Sequence, residues 1–281
     1  MRKGAFKTSK KLLINSAKTS GLSFKFIDAL YLFWIGNTLF YKGIPVKQFP
    51  KLILSRTKRE KLRRLVDIRP DIIAINSNCC YELSRSKLRA HIELEEHGIR
   101  QPKFIARTWQ HGDSYESVKE QLGDKFIMKN VYGYQGKQVF LVSNEKEFCK
   151  ALRKCKRKET MYQEFIEYSS GRDVRSIVIG DKVVATFMRE SFNGDFRANL
   201  SQGGKATPFQ LTSEQEWLAL QICKILKGEF LSVDFLLTQD GELVFCEINL
   251  HTQYSLTKRL LDIDVGDILM EYIKDRLGRG Q

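Results

Sequence analysis

The chain has 281 residues, 42% of them hydrophobic and 28% charged, with six cysteines and a net charge of +14. That length buries a sizeable core and suits two or three subdomains. It excludes a membrane-spanning reading, because the most apolar piece, ALYLFWI at 29–35, falls far short of the roughly 18 to 20 residues needed. The basic N-terminus lacks the apolar segment of a secretory signal. Cysteines 79, 80, 149, 155, 223 and 246 follow no metal-ligand spacing, which favours a reducing, cytoplasmic setting. The charge is uneven: residues 1–64 hold 16 Lys/Arg against Asp28 and Glu60, and the remainder balances at 31 of each sign. An acidic partner (peptide, RNA or anionic surface) is one account of that excess. A solvated basic face is an equally simple one.

In chain order, a helix is expected over 7–20, closed by Gly21. Alternation in SFKFID predicts a half-buried strand at 23–28. TLFYKGIPV at 38–46 reads as a strand, a turn and an extended Ile-Pro. A strand at 52–54, a helix at 59–66 and a strand at 71–76 complete a small α/β unit. A helix follows at 84–97, capped by Ser84 and stopped by Gly98. Then come a strand at 104–107, a helix at 113–122, a strand at 126–129, a glycine-bearing loop at 131–136, a return strand at 138–142 and a helix at 145–155. Strands are expected at 161–166, 173–179 and 182–189, with Gly180-Asp181 as a hairpin turn. A polar loop at 191–207 precedes a helix at 213–226, where Ser213 and Glu216 suit a capping box. A helix at 263–277 closes the chain.

The stretch SVDFLLTQDGELVFCEIN at 232–249 organises the site. Asp240-Gly241 suits a two-residue hairpin turn, and that register sets Asp234 opposite Glu247. Asn249 shares their face. Opposed carboxylates repel unless a cation lies between them, and three oxygen-bearing side chains suit Mg²⁺. Lys129 and the loop with Gly133 and Gly136 could approach phosphate, although no P-loop spacing is present. Arg197 and Asn199, near Gly203-Gly204, suit a centre where negative charge develops. Arg175 and Arg189 on neighbouring strands could orient a carboxylate or form structural salt bridges. His251 reads as a loop histidine. No Ser-His-Asp or Cys-His nucleophile motif stands out, and basic residues are not interleaved with aromatics as in RNA-binding motifs.

Together FIMKNVYGYQGKQV, YQEFIE, GRDVRSIVIGDKVVA, GDFRANLSQGG and VDF…GELVFCEIN resemble the ATP-grasp superfamily, and within it the RimK-type carboxylate–amine ligases. The likeness covers roughly 42–275. It implies an α+β fold in which two subdomains grip ATP, preceded by a small α/β preATP-grasp domain. The division would be 1–83, then 84–281, itself split into 84–165 and 166–281. The resemblance implies that Lys87 and Lys129 hold ATP phosphates, Glu164 and Phe165 read adenine, and Asp173 contacts ribose. Arg197 and Asn199 would steady the acyl-phosphate and its tetrahedral successor. Asp234, Glu247 and Asn249 would ligate Mg²⁺, with Mn²⁺ as an alternative, and Arg175 and Arg189 would contact substrate. The implied partners are a carboxylate-bearing peptide or small molecule and an amine such as an amino acid, glutamate for example, in a homo-oligomer. A small-molecule kinase on the same fold, or a non-catalytic ATP- or peptide-binding protein, are the alternatives. The chain departs from the family at Lys137-Gln138, where a further glycine is usual. It departs again after Asn249, where LHTQY lacks Pro and Gly.

Overall fold

The computed structural model describes residues 3–56, 60–107, 114–133, 136, 138–155, 159–192, 194–198 and 204–279. Helix α1 (Lys3–Thr19) leads the chain. The expected strand at 23–28 is irregular instead. Phe24, Phe26 and Ile27 are exposed, so the alternation has no sheet to bury against. Strands β1 (Leu32–Ile35), β2 (Thr38–Tyr41) and β3 (Ile44–Pro45) form an antiparallel meander. Strands β4 (Leu52–Leu54) and β5 (Ile73–Ile75) pair in parallel across helix α2 (Glu60–Ile68).

The single helix expected at 84–97 is two, α3 (Asn78–Arg85) and α4 (Lys87–Glu96). Ser86, rather than Ser84, is the cap of α4 and accepts from the Arg89 amide. Ser84 lies inside α3 and donates to the Tyr81 carbonyl. The break puts Lys87 in the first turn of α4, with its amide bonded to the Val131 carbonyl at 3.1 Å.

Strands β6 (Phe104–Arg107), β7 (Phe126–Asn130), β8 (Val139–Val142) and β9 (Thr160–Glu164) make an antiparallel sheet in the order β6-β9-β7-β8. Helices α5 (Tyr115–Leu122) and α6 (Glu145–Cys155) cover one face through Phe126, Met128, Phe148 and Tyr162. Strand alternation sends Lys129 and Gln163 to the other face.

The second sheet joins β10 (Arg172–Ile179), β11 (Lys182–Glu190), β12 (Lys205–Pro208), β13 (Phe230–Leu237) and β14 (Leu243–Asn249) in the order β12-β11-β10-β13-β14. Strand β12 occupies the end of what was expected to be loop. Helix α7 (Ser213–Ile225) is capped by Thr212 with Gln215, one residue before the expected box. Short helix α8 (Thr257–Leu261) was not anticipated, and α9 (Val265–Gly278) ends the chain.

One face of this sheet packs Val233, Phe235 and Phe245 against α3, α4 and α7. The other buries Ile177, Phe187 and Phe230 against Leu13 of α1 and Met270 of α9. Packing therefore crosses residue 83: Cys80 and Tyr81 share a core with Ala90 and Leu94. Residues 29–72 close a small core of their own around Leu32, Leu39, Leu65 and Ile72, whereas α1 buries Leu13 and Ala17 against β4, β5, the C-terminal sheet and α9.

The β13–β14 hairpin corrects the expected turn. The Thr238 amide bonds to the Glu242 carbonyl at 2.9 Å, closing a three-residue loop in which Gly241 has φ +85°. Phe235 then pairs with Phe245, but a bulge follows and Asp234 pairs with Glu247. The extra residue of the bulge offsets the extra residue of the turn. It also lets Phe245 face the core while Glu247 faces the site, since a one-residue shift reverses every side chain.

Candidate active site

The site grows from cross-strand pairs. Register sets Asp173 opposite Arg189, Arg175 opposite Asp234, and Asp234 opposite Glu247. All share one face with Asn249, so opposite charges meet across β11–β10 and β10–β13, while the acids Asp234 and Glu247 oppose each other across β13–β14. Arg175 clamps Asp234 from Nε and Nη2 at 2.7 and 2.6 Å. Arg189 binds both oxygens of Asp173 at 2.5 Å and reaches Asp234 from Nη2 at 2.9 Å. Asp234 is 1% exposed, so its charge is tolerated only because two guanidinium groups meet it.

This places three expected residues differently. Arg175 and Arg189 face protein carboxylates, not an open substrate pocket. Both oxygens of Asp173 accept from Arg189. The in-register strands bring these charges opposite each other, and neutralising buried charge outweighs leaving them free for ligand.

Helix α4 and strand β7 each supply a lysine. Lys87 Nζ donates to Glu247 Oε2 at 2.9 Å. Burial opposes ionisation of Glu247, but Lys87 holds its carboxyl far below the usual carboxylate range. Lys129 is buried, and its Nζ donates to Gln163 Oε1 at 2.7 Å instead of to a carboxylate. Burial, with Lys87 adding repulsion, pulls Lys129 down to about 8. His91 lies one turn after Lys87. Its Nδ1 is 2.6 Å from Gln101 Oε1, and its Nε2 is 3.5 Å from Gln163 Nε2. Burial and Lys129 push His91 down to about 3, so the ring is neutral. The network assigns the tautomer: Nδ1 donates to Gln101 and Nε2 accepts from Gln163, which aims Gln163 Oε1 at Lys129. Ser84, Lys87, His91, Phe245, Cys246 and Glu247 border a small space of about 20 Å³ between α4 and β14. His91 was not singled out in the sequence, where a lone histidine carries no signal. The spacing Lys87–His91 on one helix face was the available clue.

Arg197 donates to Asp195 Oδ2 at 2.6 Å and, from Nη1, to the Gly136 carbonyl at 2.8 Å. It thus ties the segment before β12 to the glycine loop of the other sheet. Asn199 lies outside the described residues. Glu164 accepts from the Lys103 amide at 3.0 Å, and Phe165 meets Phe196 edge-on at 6.5 Å between ring centres. His251 approaches the Tyr81 hydroxyl at 3.5 Å.

Whether the wall suits a divalent cation depends on its donors. Asn249 Nδ2 lies 3.1 Å from Asp234 Oδ2 and 3.2 Å from Glu247 Oε1. Two carboxylates and an amide therefore converge on one point. Turning the amide over presents its oxygen, giving an all-oxygen set suited to Mg²⁺ with phosphate completing the shell. Among the described residues no three His, Cys, Asp or Glu side chains gather as a metal cluster.

Two sheets with lysines held between them make an ATP-grasp ligase architecture. The chain is similar to the solved ATP-grasp ligase PsnB in complex with a minimal precursor, at a TM-score of 0.70 and 15% identity over 94% of each chain. The chain belongs to the family defined by the RimK-like ATP-grasp domain, which matches residues 84–273. It is similar to a probable alpha-L-glutamate ligase of Maridesulfovibrio salexigens, 32% identical over 75% of this chain and 70% of that one. It is also similar to human N-acetylaspartylglutamate synthase A, 29% identical over 67% of this chain and 49% of that one. It is an ATP-dependent enzyme that forms C–N bonds between a carboxylate and an amine. Among the described residues no helix is long and apolar enough to cross a membrane.

Proposed function

We propose that the enzyme joins glutamate, through its amine, to a carboxylate-bearing peptide or small molecule by way of an acyl-phosphate. The names of the glutamate ligase and N-acetylaspartylglutamate synthase relatives support the choice of amino acid. One observation carries the reading: among the described residues no carboxylate is hydrogen-bonded to buried Lys129, which lies near the linked group of Lys87 on α4 and Glu247, Asn249 and Asp234 on the second sheet.

In this reading Lys129 and Lys87 bind phosphate oxygens of ATP, and the linker at Glu164 and Phe165 borders adenine. Mg²⁺, or Mn²⁺ as the alternative ion, would be held by Asp234, Glu247 and Asn249 and would neutralise phosphate charge. Arg175, Arg189 and Asp173 act as positioning residues that fix Asp234. Gln163 and His91 orient Lys129. Arg197, with Asn199 near it in sequence, steadies the negative charge that grows on the carbonyl oxygen as the amine attacks. Residues 1–83 complete the substrate side of the cleft as the preATP-grasp part. A cytoplasmic setting, a homo-oligomer and an acidic partner for the basic segment belong to the same proposal.

The test is phosphate release with ATP, glutamate and a panel of acidic peptides and small carboxylates, followed by mass spectrometry of the product. Amide formation with ADP and phosphate is expected. Phosphoryl transfer to substrate without phosphate release would overturn the reading in favour of a kinase.

A further inference from the structure

The meander of β1, β2 and β3 carries apolar side chains on both of its faces. Inward, Leu32, Trp34, Leu39 and Tyr41 close the small core with Leu65 and Ile72. Outward, strand alternation turns Phe33, Ile35, Phe40 and Pro45 to the opposite side. Phe33 and Phe40 pair across the strands, and their rings stack at 5.3 Å between centres. Ile35 is 62% exposed. Phe33, Ile35 and Phe40 join none of the hydrophobic cores among the described residues. An antiparallel sheet with a free face ordinarily sets polar side chains there. Here Thr38 is the one polar side chain that the strands send outward.

The apolar surface continues past the strands: Leu30 is 57% exposed, and Ile44, at the β2–β3 hairpin, 70%. Of the fifteen large apolar side chains that stand well exposed among the described residues, eight fall within residues 24–44, so the exposure is concentrated rather than scattered. Cations stand at both ends of the sheet. At the hairpin, Lys42 Nζ lies 5.3 Å from the centre of the Tyr31 ring. At the β1–β2 turn, Arg64 lies 4.8 Å from the centre of the Trp34 ring and donates to the Gly36 carbonyl at 2.8 Å. The one acid before residue 60, Asp28, is engaged by the Leu30 amide at 2.9 Å. An apolar patch with cations at its ends and almost no acid complements a bilayer of anionic lipids: the apolar groups enter the acyl boundary and the cations meet the headgroups. A protein partner asks for about one hydrogen bond per 100–200 Å² of interface, and this face offers a single hydroxyl. A second copy would set a basic surface against itself.

We propose that the outer face of β1–β3, with Leu30, Lys42, Ile44 and Arg64 at its ends, is a docking surface for an anionic lipid bilayer, entered at the depth of the interface and not spanned. This goes beyond the ligase reading and does not depend on it. It narrows the acidic partner of the basic N-terminal segment to a lipid surface. Residues 1–64 hold 16 Lys/Arg against two acids, so the field of the whole segment draws it to the same surface.

Vesicle flotation of the full chain tests the proposal, with vesicles of phosphatidylcholine alone and of phosphatidylcholine and phosphatidylglycerol at about 7:3. The wild type is expected to float with the mixed vesicles and roughly tenfold less with phosphatidylcholine alone. The double variant Ile35→Asn/Ile44→Asn should partition roughly tenfold or more weakly onto the mixed vesicles, and Lys42→Glu should lose a similar factor. Both variants should keep their Mg-ATP affinity, which reports that they fold, since the substituted side chains are exposed. No flotation of the wild type, or equal flotation with the two kinds of vesicle, would overturn the surface. So would flotation that Lys42→Glu and high salt abolish but the double variant leaves unchanged, because the contact would then be charge alone. Two further results would give the face to another occupant: a dimer in sedimentation, or binding of poly-L-glutamate, lost in the double variant while the wild type does not float.

Discussion

Lys87 Nζ and Glu247 Oε2 meet at 2.9 Å and join the first turn of α4 to the last strand of the second sheet. The bond exists because Ser86 interrupts what would otherwise be one helix and aims Lys87 across the cleft. Lys87→Met would leave Glu247 without its cation. We expect turnover to fall at least about 100-fold and stability to drop by about 2 kcal/mol. Urea denaturation and phosphate release measure the two effects separately. The folded carboxyl of Glu247 titrates below its unfolded value, so its contribution is present above the ordinary carboxylate range and lost as pH falls beneath it. Wild type and Glu247→Gln should therefore converge in stability in acid.

Lys129 predicts a stability dependence of the same sign in a different, alkaline window. Its folded pKa is lowered to about 8, below the unfolded value. The unfolded chain then holds more protons than the folded one between about 8 and the ordinary lysine range near 10.4, so this group makes stability rise with pH across that window. Nucleotide binding should move the other way, because phosphate needs the charged amine. A fluorescent ATP analogue should bind progressively more weakly above pH 8 in the wild type, and Lys129→Met should flatten the profile. An unchanged profile in that variant would remove Lys129 from the phosphate site.

The Asp173–Arg189–Asp234 chain predicts strong coupling. Arg189→Met strips Asp173 of its partner and leaves Asp234 with Arg175 alone. A loss of about 3–5 kcal/mol is expected, as for other buried pairs broken on one side. Adding Asp173→Asn should restore part of it. A double-mutant cycle by chemical denaturation reads the coupling, and strict additivity would show that the two residues do not share one network.

Asn249→Ala should retain the fold, since Asp234 keeps both arginines, yet lose turnover. Chelation of divalent cations should silence the wild type, with Mg²⁺ or Mn²⁺ restoring it. Substantial activity of Asn249→Ala at ordinary Mg²⁺ would argue against the metal assignment.

Much of the fold was legible because local rules suffice for it. Helix α6 has the bounds that periodicity predicts, and apart from β12 the strands of both large sheets fall within a residue or two of expectation. Errors gathered where competing local choices were close in energy. Thr212 and Ser213 are adjacent capping candidates, and it is Thr212 that caps α7, with Gln215 completing the box. Strand β12 is a polar stretch that becomes a strand because the edge of β11 is available to pair with it.

The sequence by itself determined that Asp234, Glu247 and Asn249 share a face, and it carried the family resemblance through five spaced motifs. Even there the register came right by compensation, with a longer turn offset by a bulge at Cys246. Only the tertiary structure decided what the charges do. Arg175 and Arg189 could have faced substrate, but burial beside Asp234 and Asp173 made protein ion pairs the outcome. Arg56 lies in a basic stretch that reads as solvated surface, yet Tyr254, Thr252 and α1 close over it and leave one donor unmet. Charge is written in the sequence; desolvation, which sets its energetic weight, depends on neighbours almost two hundred residues away.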